Sequence, residues 1–269
     1  MTPLEIQYSP SSCIPSVDIE LQRYRELSDQ ARTLRHDTTW YGAHPDEHVV
    51  VFPASTASAP LHVFIHGGYW QALSAADSLG AAPELVAAGV GYAAINYRLA
   101  PEVSIDTMIV ECVTALAHVV GVLRPSELTV SGSSAGAHLA AHTAMRTSAA
   151  IDRLILLSGV FDLRPLVHTY VNGPLRLTEG SAEALSILTG PAPGGEVLVR
   201  HGANETDAFK RQSARLAEVW GVPAVEVAGR NHFDLVTDLA AIHLGAHRVA
   251  AARPRGGETN HPPGSGATP

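Results

Sequence analysis

Short apolar segments alternate with longer Ala- and Leu-rich segments along the chain, and this alternation limits the fold more than any other feature. The short segments predict strands and the long ones predict helices. Strands this apolar must be covered on both faces, so we expect an α/β fold with a mostly parallel central sheet and helices on both faces. The predicted strands are 48–53, 61–66, 92–96, 128–131, 153–158, 196–201 and 224–229. The predicted helices are Ala75–Ala88, Ile105–Leu123, Ala135–Arg146, Ala182–Leu188, Ala208–Trp220 and Leu235–Ala252.

This alternation indicates a single domain over residues 1–252, an ordinary length for one α/β unit. Near its start, Val17–Leu34 has apolar residues three or four positions apart, which predicts a helix that packs on the main body. Residues 253–269 are rich in Pro and Gly and almost free of apolar side chains. We expect that segment to be a disordered tail.

The charge pattern disfavours several classes of partner. The formal net charge is −8 and no basic stripe is present, so nucleic acid is not an expected partner. No signal-peptide pattern opens the chain, and no uninterrupted apolar run is long enough to cross a bilayer. Two cysteines, Cys13 and Cys112, are too few for a disulfide framework. We therefore expect a cytoplasmic protein with no membrane partner.

The segment VSGSSAGAH follows a predicted strand and begins a predicted helix. Its central part, Gly132–Gly136, fits the pattern G-x-S-x-G, in which the glycines allow a sharp turn from strand to helix. Only Ser134 stands at the centre, so it is the candidate nucleophile. Ser131 then ends the strand, and Ser133 flanks the turn.

In a second glycine-containing segment, FIHGGYW, the glycines come just after the predicted strand 61–66. Gly67 and Gly68 stand where a loop that binds an oxyanion belongs in such a fold. Together with the N–H of Ala135, their N–H groups would hold the negative charge that develops during acyl transfer.

The remaining members of a catalytic triad should follow the last two predicted strands. His232 comes after the last one and is the candidate general base. Two carboxylates, Glu205 and Asp207, follow the strand before it. A count of three residues from Gly202 favours Glu205, while Asp207 is better explained as a helix cap. His232 would then take the proton of Ser134, and Glu205 would orient the imidazole.

The chain contains 14 histidines, and two pairs have spacings that a metal site could use. These pairs are His44 with His48, and His243 with His247. Neither has a convincing third ligand, so we interpret all four as solvated histidines and expect no metal.

Together, HGGYW, GSSAGAH and NYRLAPE resemble the hormone-sensitive-lipase-like branch of the α/β-hydrolase superfamily. Within it, FIHGGYWQALS, SAGAHLAA, LSGVFDLRPL, FKRQSARL and NHFDLV are similar to the kynurenine formamidases, also called arylformamidases. The likeness runs from the N-terminal helix to about Ala252. This family usually has His where the chain has Ser133, and usually has Asp where the chain has Glu205.

The resemblance implies hydrolysis of N-formyl-L-kynurenine to kynurenine and formate, through an acyl-enzyme and without a cofactor. The substrate would be a small aryl compound, and Ser133 would form part of its pocket wall. Tyr69 and Trp70 either provide stacking surface for the aryl ring or pack at the strand end. An esterase, thioesterase or acyltransferase acting on an aryl or indolyl acyl group would use the same triad and remains the alternative. An inactive binding scaffold is disfavoured because the triad is complete. A homodimer is compatible with the sequence.

Overall fold

A computed structural model of the chain describes the backbone of residues 1–251 and the side chains of residues 1–245. Within this range, eight strands form one sheet. The strands are β1 (Asp37–Trp40), β2 (His48–Phe52), β3 (Leu61–Ile65), β4 (Gly91–Ile95), β5 (Leu128–Ser133), β6 (Arg153–Leu157), β7 (Glu196–Asn204) and β8 (Ala224–Asn231). Their order across the sheet is β1-β2-β4-β3-β5-β6-β7-β8. The predicted tail at 253–269 lies outside the described residues.

The sheet is mostly parallel, as the sequence predicts. Only the pairs β1–β2 and β2–β4 are antiparallel, and every other neighbouring pair is parallel. All seven predicted strands are present. The additional strand, β1, lies at the edge of the sheet and is mostly exposed, so its sequence lacks the apolar run that predicts a buried strand.

Helices cover both faces of the sheet, which confirms the predicted architecture. They are α1 (Pro3–Gln7), α2 (Val17–Ala31), α3 (Ala82–Ala87), α4 (Ile105–Leu123), α5 (Ala135–Arg146), α6 (Asn172–Leu175), α7 (Glu179–Leu185), α8 (Asp207–Trp220) and α9 (Leu239–Ala251). One buried cluster joins Val63 and Leu156 of the sheet to α4, α5 and α8. The other joins Phe64 and Ile155 to α3 and α9. Alternate residues of each strand therefore face opposite helical layers.

Two predicted helices are interrupted. The predicted helix Ala75–Ala88 consists of a short 3₁₀ helix, Ala75–Asp77, followed by α3, because Pro83 can begin a helix but cannot continue one. The predicted helix Leu235–Ala252 likewise begins as a 3₁₀ helix, Asp234–Asp238, before α9. The predicted boundaries at these two places are therefore wrong.

Two other helices have shifted boundaries. The helix predicted at Val17–Leu34 ends at Ala31. The helix predicted at Ala182–Leu188 is displaced toward the N-terminus, because Thr178 and Ser181 form a capping box that starts α7 at Glu179.

The central helix α4 contains Asp106 and Glu111, so it is not an uninterrupted apolar run. By length and composition alone, it is apolar enough to cross a bilayer. A core helix of a soluble protein passes the same test, and the inner face of α4, which includes Met108, Cys112 and Leu116, is buried against the sheet. Its apolar composition is explained by this packing.

Candidate active site

The turn between β5 and α5 has the backbone of a nucleophile elbow. Ser134 has φ 57° and ψ −122°, a backbone conformation that residues other than glycine rarely adopt. A Cβ on Gly132 would collide with the carbonyl of Gly136, and a Cβ on Gly136 would collide with the carbonyl of Ile65. Both glycines of the motif are therefore required for this tight crossing, which places Ser134 at the start of α5.

The structure brings Glu205 to His232. The His232 Nδ1–H donates to Glu205 Oε2 at 3.0 Å, and both residues are buried. Ser158 Oγ donates to Glu205 Oε1 at 2.6 Å, and the backbone N–H of Gly202 donates to the same oxygen. Burial by itself would raise the pKa of Glu205, but the bonds from His232, Ser158 and Gly202 outweigh it and the pKa is lowered. Glu205 is thus held as a carboxylate.

Asp207, the alternative acid, makes no hydrogen bond in this network. It is exposed and is the first residue of α8, while Thr206 occupies the N-cap position. The interpretation of Asp207 as the helix cap is therefore wrong by one residue. The Thr206 hydroxyl does not cap the helix, because it donates to the carbonyl of Gln7 at 2.6 Å.

Ser134 and His232 line the same cavity, which has a volume of about 440 Å³. Both side chains are almost fully buried, with exposures of 7% and 6%. Since Nδ1 of His232 is bonded to Glu205, Nε2 is the nitrogen that remains for proton exchange with the serine. Ser133 also lines this cavity, at the position that the sequence predicts for a wall residue.

The candidate oxyanion loop lies directly against the elbow. A Cβ on Gly67 would stand 2.7 Å from the carbonyl oxygen of Ser133 and 3.2 Å from Ser134 Cβ, so only glycine fits there. Gly68 follows with φ 99°. The N–H groups of Gly67, Gly68 and Ala135 donate no hydrogen bond to another described residue. They are therefore available to a bound oxyanion.

Tyr69 and Trp70 have different positions. Tyr69 lines the cavity, and its hydroxyl donates to the carbonyl of Tyr8 at 2.6 Å. Trp70 does not line the cavity, is fully buried and meets His138 edge-on at 5.3 Å. The expectation that Trp70 contacts substrate is therefore corrected, and its alternative interpretation as a packing residue describes its position.

The N-terminal segment holds two of the loops that carry these groups. Tyr8 accepts from Tyr69 on the oxyanion loop. Gln7 accepts twice from the loop after Glu205: its carbonyl from Thr206, and its Oε1 from the N–H of Ala208 at 3.1 Å. The sequence shows no signal for these contacts, because each joins residues far apart in the chain.

Helix α2 holds the third loop. The hydroxyl of Tyr24 donates to the carbonyl of Phe233, the residue after His232, at 2.6 Å. By its spacing alone, Tyr24 belongs to the apolar face of the predicted helix, which hides this polar role. Burial raises the pKa of Tyr24 well above its ordinary value, so the hydroxyl stays a donor.

The histidine pairs are only partly as expected. His44 and His48 are partly exposed. His243 is buried, and its Nδ1 lies 3.1 Å from Nδ1 of His62, so its interpretation as a solvated residue is wrong. The side chain of His247 lies outside the described residues. Among the described side chains, no group of three or more His, Cys, Asp or Glu residues is arranged to hold a metal.

Comparisons with known proteins identify the family of the chain. A family model for the α/β-hydrolase fold matches residues 62–188. The kynurenine formamidase of Danio rerio is 31% identical over 88% of this chain and 90% of its own length, and that of Salmo salar is 30% identical over the same shares.

Solved structures show the same fold. The crystal structure of a candidate thioesterase from Silicibacter sp. has a TM-score of 0.84 and 25% identity, and it covers 89% of this chain and 95% of that protein. The esterase LipW from Mycobacterium marinum has a TM-score of 0.64 and 21% identity, with 87% of this chain and 88% of its own chain covered.

Proposed function

Because this chain belongs to the kynurenine formamidase family of α/β-hydrolases, we propose that it hydrolyses an N-formyl aryl amide, with N-formyl-L-kynurenine as the substrate. The observation that carries the proposal is the likeness to curated kynurenine formamidases over 88% of the chain. The hydrogen-bonded pair of Glu205 and His232 beside Ser134 supports it. That the chain is a hydrolase follows from the family itself.

Acylation begins at the elbow. Nε2 of His232 takes the hydroxyl proton of Ser134 as Oγ forms a bond to the formyl carbon. The carbonyl oxygen becomes an oxyanion that accepts hydrogen bonds from the N–H groups of the oxyanion loop and Ala135. When the C–N bond breaks, the imidazolium returns its proton to the leaving amine nitrogen. Kynurenine departs, and Ser134 carries a formyl ester.

Deacylation repeats these steps with water. His232 takes a proton from the water molecule while its oxygen bonds to the formyl carbon, and the second oxyanion occupies the same donors. Collapse breaks the bond to Ser134 Oγ, which regains the proton from the imidazolium. Formic acid leaves and loses its proton to solvent to give formate, and the enzyme returns to its starting state, so no cofactor enters the balance.

The electrostatics of Glu205 suit this cycle. The imidazolium exists only while a proton is in transit, and a buried carboxylate 3.0 Å from Nδ1 stabilises it. Two further donors, from Ser158 and Gly202, fix that carboxylate in place. The imidazole therefore keeps the tautomer that has Nε2 free for the serine proton.

The cavity suits a compact aromatic compound. Its volume of about 440 Å³ falls in the range of about 300–1,000 Å³ that small-molecule sites occupy. Aromatic and apolar side chains line it beside Ser134, and they supply the surface that an aryl ring needs. These lining residues are Phe64, Tyr69, Leu73, Tyr92, Phe233, Val236 and Leu239.

The experiment that tests the proposal compares acyl groups on one leaving group. The kcat/KM for N-formyl-L-kynurenine should exceed that for the N-acetyl analogue by roughly 10–200-fold, because one extra methyl group must enter a tight acyl site. Equal or faster turnover of the N-acetyl compound would contradict the proposal.

A second candidate function is esterase or thioesterase activity on an aryl acyl group, with acyl transfer as a variant. The likeness to the Silicibacter protein, at a TM-score of 0.84, favours this candidate. Because the triad chemistry is shared, only rates separate the two functions. Faster turnover of p-nitrophenyl esters or aryl thioesters than of N-formyl-L-kynurenine would favour the second function.

A further inference from the structure

The cavity that Ser134 and His232 line is also lined by charged side chains, and some of these charges are paired with each other. Arg230 donates to both carboxylate oxygens of Asp238, at 2.7 and 2.6 Å, so its guanidinium is occupied. Asp77 accepts a hydrogen bond from Ser74 Oγ at 2.9 Å. These groups have local partners that explain them.

Two charged groups of opposite sign on this wall have no such partner. Arg23 and Glu84 both line the cavity, and neither side chain makes an ion pair or hydrogen bond with another described residue. By contrast, Arg25 on the same helix is hydrogen-bonded to Gln22, and Arg32 at the C-cap of that helix is hydrogen-bonded to Asp29. Arg23 is therefore free to bind a ligand anion.

Arg23 and Glu84 are carried by elements that are fixed to one another. Arg23 lies on α2 and Glu84 on α3. The N–H of Leu79, just before α3, donates to Ser28 Oγ of α2 at 3.2 Å, and Arg32 donates to the carbonyl of Ala76 at 2.9 Å. These bonds hold both elements in one wall of the cavity.

Depth separates these charges from the reacting groups. Ser134 and His232 are almost fully buried, whereas Arg23 and Glu84 are exposed. A substrate with its formyl group at Ser134 would therefore present its far end toward the two charges. N-formyl-L-kynurenine has the formyl group on its aniline nitrogen and an α-amino acid group, with one carboxylate and one ammonium, at that far end.

We propose that Arg23 and Glu84 form a subsite for the α-amino acid end of the substrate. The guanidinium of Arg23 binds the carboxylate, with the fork geometry that suits two parallel hydrogen bonds, and Glu84 binds the ammonium group. The inference rests on the proposed function and adds to it the reason for selectivity toward an amino acid over an uncharged aryl formamide. Complementary charges select the substrate and orient it.

The test pairs substitutions with substrate analogues. Arg23→Gln should raise KM for N-formyl-L-kynurenine roughly tenfold with kcat little changed, because a partly exposed charge-assisted bond is lost. The same substitution should leave the kinetics of 2-formamidoacetophenone, which has no amino acid group, unchanged. The carboxamide of N-formyl-L-kynurenine should bind wild type and Arg23→Gln equally. Arg25→Gln removes the same charge two residues further along α2, at a position that does not line the cavity; it is the matched control and should behave as wild type.

Glu84 is tested in the same way against the analogue that lacks the amino group. Glu84→Gln should raise KM for N-formyl-L-kynurenine several-fold and leave KM for the deaminated analogue unchanged. Glu218→Gln, an exposed substitution on α8, is the matched control.

Different results would overturn the subsite and the proposed function. The subsite is overturned if wild type cleaves N-formyl-L-kynurenine but Arg23→Gln and Glu84→Gln leave its KM unchanged. A rise in KM that is equal for charged and uncharged formamides also overturns it. If wild type cleaves neither N-formyl-L-kynurenine nor 2-formamidoacetophenone, the proposed function falls, and the subsite falls with it.

Discussion

Replacement of Glu205 by Gln tests whether this residue is the acid of the candidate triad. The carboxylate accepts three hydrogen bonds, from Ser158 and the Gly202 N–H at Oε1 and from His232 at Oε2. A glutamine has one oxygen and one NH₂ group in place of the two oxygens, so it cannot accept all three bonds.

The orientation of that glutamine decides the outcome. If its oxygen faces Gly202, both bonds at that end remain, but its NH₂ group faces Nδ1 of His232 and requires this nitrogen to be an acceptor. The ring proton then sits on Nε2, and the imidazole cannot take the proton of Ser134. The opposite orientation places NH₂ against the N–H of Gly202, a buried clash of donors that costs about 1–3 kcal/mol. The first orientation is favoured, so kcat should fall by about 10²–10⁴-fold.

The assay is kynurenine release from N-formyl-L-kynurenine, measured beside thermal unfolding. Because two of the three bonds and the side-chain shape are kept, Tm should fall by only about 2–8 °C. Asp207→Asn is the matched control, since Asp207 is exposed and forms no hydrogen bond to His232. Near-normal kcat in Glu205→Gln, with a large loss in Asp207→Asn, would refute the reasoning.

Three further predictions address other parts of the molecule. A serine-directed fluorophosphonate should label Ser134, and Ser133→Ala should keep most of the activity; peptide mapping that finds the label on Ser133 would contradict the elbow. Tyr24→Phe removes the bond to the carbonyl of Phe233, worth about 1 kcal/mol, so kcat should fall about fivefold, and an unchanged kcat would show that α2 does not position this loop. Burial lowers the pKa of His66 to about 4. Between about pH 6.5 and pH 4, this histidine is therefore protonated in the unfolded chain but neutral in the folded one, which favours unfolding. The free energy of unfolding should therefore drop by roughly 3 kcal/mol between pH 6.5 and pH 4, and denaturant titrations that give the same value at both pH values would contradict this.

Much of the fold could be predicted from local pattern, because buried parallel strands are continuous apolar runs. The edge strand Asp37–Trp40 could not, since most of its residues are exposed and no apolar run marks it. The predicted helix boundaries are wrong where a proline or a capping box, rather than the apolar periodicity, determines where the helix starts, as at Pro83 and Thr178.

Some features of the candidate site could also be predicted from local sequence, and others could not. The elbow motif and the three-residue spacing from Gly202 to Glu205 are both visible in short segments of sequence. In the structure, Glu205 is hydrogen-bonded to Gly202 and to His232. Ser158, which holds Glu205, lies 47 residues before it in the chain, and only the parallel pairing of β6 with β7 brings the two together. The burial of His243 could not be predicted from its helix alone, because the side chain that it contacts, His62, lies 181 residues away in the chain.

The most direct test of the central claim is the release of kynurenine and formate from N-formyl-L-kynurenine by the wild-type chain and by Ser134→Ala, assayed side by side. The account predicts equal amounts of the two products from wild type, and a loss of about 10⁶-fold in kcat for the variant without a change in Tm beyond a few degrees. Comparable turnover by Ser134→Ala, or no release of formate by the folded wild-type chain, would contradict it.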